Sequence, residues 1–161
     1  MSVMDKRKRW DEIQKGLSEL DKTYTKVGLP EGGKVEAPTQ TGSKERTVTD
    51  IIYLVQIGAW NEFGNSKIPE RSFLRSTTDE QRVNLERLKE KVYTDILYGI
   101  RTPKEALSVV GEFLTGKVKR KIQTLKVPQN APSTIKNKGS SNPLIDTGQM
   151  VQSIQHVEVV E

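Results

Sequence analysis

Chemistry at protein side chains starts with a short list of residue types, and this chain supplies few of them. Cysteine is absent and His156 is the only imidazole. Disulfide scaffolds, thiolate metal sites, cysteine nucleophiles and His-clustered zinc are therefore excluded. An acid–base role for His156 needs an orienting partner, and no Ser/His/Asp order with a glycine elbow accompanies it. His156 therefore reads as a structural or surface residue. Gly28-Leu29-Pro30-Glu31-Gly32-Gly33-Lys34 has glycines and a lysine, but not the fixed spacing or the Gly-Lys-Ser/Thr end of a phosphate loop. It reads as a turn. Glu86, Glu90 and Glu112 stand among lysines on surface helices, where each ion pair contributes little. No catalytic, metal or cofactor residue is assigned, and the chain reads as a protein without enzymatic activity.

The remaining candidates are cations. Twenty-six Lys and Arg against 21 Asp and Glu leave a net +5, and the sequence pI is 9.4. Lys117, Lys119, Arg120 and Lys121 stand in the last turns of a helix, where positive charge offsets the negative end of the dipole. Lys126, Lys136 and Lys138 carry the charge onward, so a basic nucleic-acid-binding protein is the alternative reading. No aromatic interleaving, helix-turn-helix spacing or zinc finger supports it.

Positioning these residues falls to one domain, 1–161, of modest core: 34% of residues are hydrophobic and mean hydropathy is −0.61. Trp10, Ile13, Leu17 and Leu20 predict a helix over Met4–Leu20, in which the Lys6–Arg9 run opposes the dipole. Thr23–Val27 alternates as a strand. Residues 31–46 read as a long exposed loop, or as a hairpin whose second arm is Lys34–Ala37. Thr47 and Asp50 form a capping box for a helix over Ile51–Phe63, apolar nearly all round and hence buried, closed by Gly64. Ile68–Arg75 is an extended connector. A box at Thr77 and Glu80 opens a helix over Thr78–Tyr98, with Leu85, Leu88, Val92 and Ile96 as its stripe and Gly99 at its end. Thr102-Pro103-Lys104-Glu105 starts the next, striped by Leu107, Val110, Leu114, Val118 and Ile122. Residues 126–143 read as a loop, Leu144–Gln149 as a turn and Ser153–Val160 as a strand.

The order predicts an α+β fold: a small antiparallel sheet packed by an N-terminal helix, a central buried helix and an antiparallel helix pair. The apolar run Ile51–Val55 is far short of a membrane span and no signal-peptide pattern follows Lys6–Arg9, so a soluble protein of a reducing cytoplasm is expected.

Four segments carry a further pattern: Trp60-Asn61-Glu62-Phe63-Gly64, Ile68-Pro69-Glu70-Arg71-Ser72-Phe73-Leu74-Arg75, Ser133-Thr134-Ile135-Lys136-Asn137-Lys138-Gly139, and Pro143-Leu144-Ile145-Asp146-Thr147-Gly148-Gln149-Met150 with Ser153-Ile154. In order and spacing, from about Ile51 to the end, they resemble the neck and tail-completion (virion-morphogenesis) proteins of long-tailed bacteriophages. That family's usual pattern has Pro where this chain has Ser72, and Leu near Met150. The resemblance implies a structural virion protein of the head–tail junction, made in the host cytoplasm, with a small sheet flanked by helices. It implies a ring, expected as a hexamer, that joins or seals tail to head. Its partners would be other neck, connector and tail proteins, with DNA passing through the lumen and no membrane. Apolar and arginine residues on loops must bury against the chain's own core or a neighbour. Phe63, Pro69, Arg71, Phe73, Leu74, Arg75, Lys136, Lys138, Leu144 and Asp146 are accordingly expected at subunit or partner interfaces.

Overall fold

A computed structural model describes residues 3–29, 34–36 and 51–160. The elements are α1 (Val3–Leu20), β1 (Thr23–Gly28), β2 (Lys34–Glu36), β3 (Ile51–Tyr53), α2 (Leu54–Phe63), α3 (Arg75–Glu80), α4 (Arg82–Leu97), α5 (Pro103–Thr124), α6 (Pro132–Lys138), α7 (Gln149–Ser153) and β4 (Gln155–Val160). The fold is α+β, as the sequence predicts. Its strands form two pairs, β1 with β4 and β2 with β3. The chain divides into two compact units.

The first unit comprises Met1–Val27, Thr78–Gly116 and Gln155–Glu161. Its core holds Val92, Ile96 and Ala106, with Leu20, Leu88, Val109 and Val110 packed against them. The expected helix pair is thus present, and its turn arises from local chemistry. Gly99 takes the left-handed conformation (φ 69°) that ends α4, and its N–H bonds to Ile96 O. Thr102 N–H donates to Glu105 Oε2 (2.8 Å) while Glu105 N–H donates to Thr102 Oγ1 (3.3 Å), the reciprocal box that starts α5. Gly111 admits the β1–β4 pair to α5: a Cβ there would stand 2.7 Å from His156 Cδ2 and 2.8 Å from Thr25 Oγ1.

The second unit comprises Gly28–Thr77 and Lys117–Ile154. Leu54, Phe73, Val118, Ile122, Leu144, Met150 and Ile154 are its buried apolar residues. Lys34–Glu36 is an arm of an antiparallel pair, but its partner is β3 rather than Thr23–Val27, with Lys34 opposite Tyr53, Val35 opposite Ile52 and Glu36 opposite Ile51. The helix expected over Ile51–Phe63 gives its first three residues to β3, because β-branched and aromatic side chains favour a pleated strand. Nor is α2 buried on most sides: Leu54, Gly58 and Glu62 face inward, whereas Val55 and Phe63 are exposed. The box at Thr47 and Asp50 and most of the 31–46 loop lie outside the described residues.

Two further boundaries differ from expectation. The helix placed at Thr78–Tyr98 begins at Arg75 and breaks at Gln81, between α3 and α4. Thr77 is not its cap; the Thr77 hydroxyl instead donates to Phe73 O (2.6 Å). The 126–143 loop contains α6, with Pro132 in its first turn and Gly139 (φ 68°) at its end. Along α5, Val118 and Ile122 are sealed, while Leu107, Val110 and Leu114 are half-buried.

Candidate functional site

Trp60–Gly64 and Ile68–Arg75 form one hydrogen-bonded knot in the second unit. Gly64 ends α2 at φ 71°, where a Cβ would come within 2.8 Å of Glu70 N. Asn65 N–H then donates to Ile68 O (2.8 Å), and Asn65 Oδ1 accepts the N–H of Lys67 (2.8 Å) and of Ile68 (2.9 Å). Such an Asx turn satisfies backbone groups without regular structure. Arg71 N–H closes the loop onto Asn61 O (2.7 Å).

Glu62, 3% exposed, organises the Ser72–Arg75 stretch. Its Oε2 accepts the N–H of Phe73 (2.7 Å) and of Leu74 (2.9 Å). Its Oε1 accepts the Ser72 hydroxyl (2.8 Å), the Arg75 N–H (3.0 Å) and Arg75 Nε (3.1 Å). One carboxylate thus caps the start of α3, where unpaired N–H groups and the positive dipole end favour negative charge. Burial pushes the Glu62 carboxyl up, but the donors from Leu74, Arg75, Ser72 and Phe73 together outweigh it and hold it below the usual carboxylate range.

Arg71 ties the connector to the stretch that follows α5. Its Nε donates to Pro128 O (2.8 Å), its Nη2 to Gln129 O (3.1 Å) and its Nη1 to Asn61 Oδ1 (3.3 Å). The planar fork of arginine suits such divergent acceptors. Burial pulls its proton affinity down. The third and fourth segments join through Lys138 and Asn142. Lys138 Nζ donates to Asn142 O and Pro143 O (both 3.4 Å), and Asn142 Oδ1 accepts Leu144 N–H (3.0 Å). Burial, opposed by nearby Asp146 and helped by nearby Arg71, holds the Lys138 amine below its usual range. Asn142 Nδ2 ties this region back to α5 at Gln123 O (2.8 Å).

The ten residues expected at interfaces divide accordingly. Arg71, Phe73 and Leu144 are interior residues, 5%, 0% and 6% exposed, and that expectation is corrected for them: they hold this chain together. Leu74 and Lys138 are half-buried. Phe63, Pro69, Arg75, Lys136 and Asp146 are exposed. The Arg75 donors are largely taken: besides Glu62 Oε1, it reaches Glu62 O (2.9 Å) and Glu70 Oε1 (2.7 Å), and its guanidinium lies 4.8 Å from the Phe63 ring centroid. Val55, Ala59 and Phe63, spaced four residues apart, give α2 an exposed apolar stripe. Sequence reasoning places Asn61 and Glu62 within a motif but gives them no role. The signal available is an acidic residue ten residues before the Ser72–Arg75 start of a helix.

In the first unit, folding brings together Ser108, His156 and Glu158. Ser108 Oγ lies 3.3 Å and Glu158 Oε1 3.4 Å from the same atom, His156 Nε2. A nucleophile–base–orienter relay needs the two partners on opposite ring nitrogens, so this is not a triad. Its own backbone N–H, then the Ser108 hydroxyl, hold the Glu158 carboxyl below its ordinary range. Among the described residues no group of three or more His, Cys, Asp or Glu could hold a metal ion, and no helix is long and apolar enough to cross a membrane. Compared with family models, curated proteins and solved structures, the chain matches none.

Proposed function

We propose that this chain is a structural protein of the head–tail junction of a long-tailed bacteriophage, a neck or tail-completion component that assembles as a ring and has no catalytic role. One observation carries the reading. The four segments of the resemblance lock together in pairs, Trp60–Gly64 to Ile68–Arg75 through Glu62 and Arg71, and Ser133–Gly139 to Pro143–Met150 through Lys138 on Pro143 O. What they build is a hydrogen-bonded frame rather than a reactive centre. On its outside the frame carries Phe63, Pro69 and Arg75, beside the Val55–Ala59–Phe63 stripe. Exposed aromatic and arginine side chains on a rigid support are the usual material of subunit interfaces.

Solution size tests the reading. The purified chain is expected to give a mass several times 18.2 kDa by light scattering, and annular particles by negative-stain microscopy. Val55→Ser with Phe63→Ser should keep the helical circular dichroism and reduce the mass to one subunit. A wild-type chain that remains monomeric at hundreds of micromolar, and that leaves the head–tail junction unlabelled when tagged in particles, overturns it.

A further inference from the structure

The chain's positive charge is not spread evenly. The second unit has thirteen Lys and Arg against seven Asp and Glu, a net +6; the first has thirteen against fourteen, a net −1; together they make the chain's +5. Between Lys117 and Ile145 there are seven cations and no anion. The Asn142 Nδ2 bond to Gln123 O folds this stretch into one lobe, from the end of α5 through α6. Lys117, Lys121 and Lys138 are engaged within the protein. Arg120, Lys126 and Lys136 are exposed and Lys119 half-exposed, and none of the four is ion-paired among the described residues. The α5 dipole accounts only for Lys121, the cation in its last turn; Lys119 and Arg120 precede that turn.

We infer that this lobe is a contact surface for the phosphate backbone of duplex DNA, through Lys119, Arg120, Lys126 and Lys136. Two features select this partner among polyanions. No aromatic residue occurs between Lys117 and Ile145, so the lobe has no platform for stacking single-stranded bases. Its only exposed large apolar side chain among the described residues is Val127, whereas an acidic protein partner would be anchored by buried apolar residues. Cations without interleaved anions or anchors match a sequence-independent array of phosphates. The inference stands on charge layout and does not depend on ring formation.

The test is fluorescence anisotropy of a labelled random-sequence duplex with the full chain, over a salt series. Four neutralised phosphates give a slope of about −3.6 in log K against log salt, so affinity falls about 150-fold between 50 and 200 mM. The Gln variant of all four cations, with unchanged circular dichroism, should lose binding at 50 mM. Neutralising Lys6, Arg7, Lys8 and Arg9 to Gln, the other basic run, should leave binding in place. The inference is overturned if the wild type does not bind, if the Lys6–Arg9 variant rather than the lobe variant loses binding, or if poly-L-glutamate of equal charge displaces the duplex. Monomeric chain that binds with the expected slope supports the inference even where the ring reading fails.

Discussion

Replacing Glu62 by Gln changes almost no volume yet should be among the most damaging single substitutions in the second unit. The carboxylate serves five donors, two at Oε2 and three at Oε1. Gln supplies one oxygen and one NH2, and whichever position the NH2 takes, it confronts N–H groups. If it replaces Oε2, the N–H groups of Phe73 and Leu74 lose their acceptor. Stranding two covered donors costs about 1–3 kcal/mol each, or about 2–6 kcal/mol for the pair. Trp60 lies two residues before Glu62, so Trp10→Phe leaves a single indole that reports on this unit. Urea unfolding followed by that fluorescence measures the difference. Acid adds a second readout. The folded Glu62 pKa lies below its unfolded value, so its stabilisation is complete above the unfolded pKa, about 4.3, and is lost as pH falls through the lower folded value. Glu62→Gln removes that component, and the gap between variant and wild type should close as pH drops below about 4. A loss under about 0.5 kcal/mol at pH 7, the size of an ordinary surface substitution, would refute the reasoning.

Arg71→Lys keeps the charge but not the fork. It should release Pro128 and Gln129, seen as faster limited proteolysis between α5 and α6, with a loss of about 1–3 kcal/mol. Phe73→Ala, at a fully buried ring, should cost about 3–5 kcal/mol in urea unfolding. Phe63→Ala, at a ring 64% exposed, should stay within about 0.5 kcal/mol. Gly111→Ala pushes a methyl into His156 and should destabilise the first unit by about 1–3 kcal/mol. His156→Ala in the same chain should restore part of that loss, and a double-mutant cycle showing no coupling would remove the proposed clash.

Local signals are legible in this sequence and distant ones are not. Gly99 and the Thr102–Glu105 box act within a few residues, and both do what their sequence indicates. Ile51–Phe63 misleads because its opening apolar run, Ile51–Val55, satisfies the strand and helix periods equally, which hides the change at Leu54. The break at Gln81 carries no Gly or Pro to announce it. α6 has no apolar stripe and no buried residue, so only Pro132 and Gly139 mark its ends. Phe73 and Leu144 look like surface because they lie on connectors, yet a connector pinned by Glu62 and Arg71, or by Asn142 and Lys138, is as interior as a helix. Two of the three side-chain partners of Arg71 are 57 and 58 residues away, a distance no local pattern encodes.

The turn from Gly64 to Ile68 has a consequence for how such a chain can diverge. Its shape is held by the positive φ of Gly64, by Asn65 and by main-chain groups. The side chains of Ser66 and Lys67 take no part in those bonds and project from the exposed tip. Substitutions at these two positions change what the tip displays without changing where it is displayed. Lineages can therefore exchange its chemistry freely while Asn61, Glu62, Gly64, Asn65 and Arg71 stay fixed, and variation that alternates this way along the turn is the mark the frame would leave on its relatives.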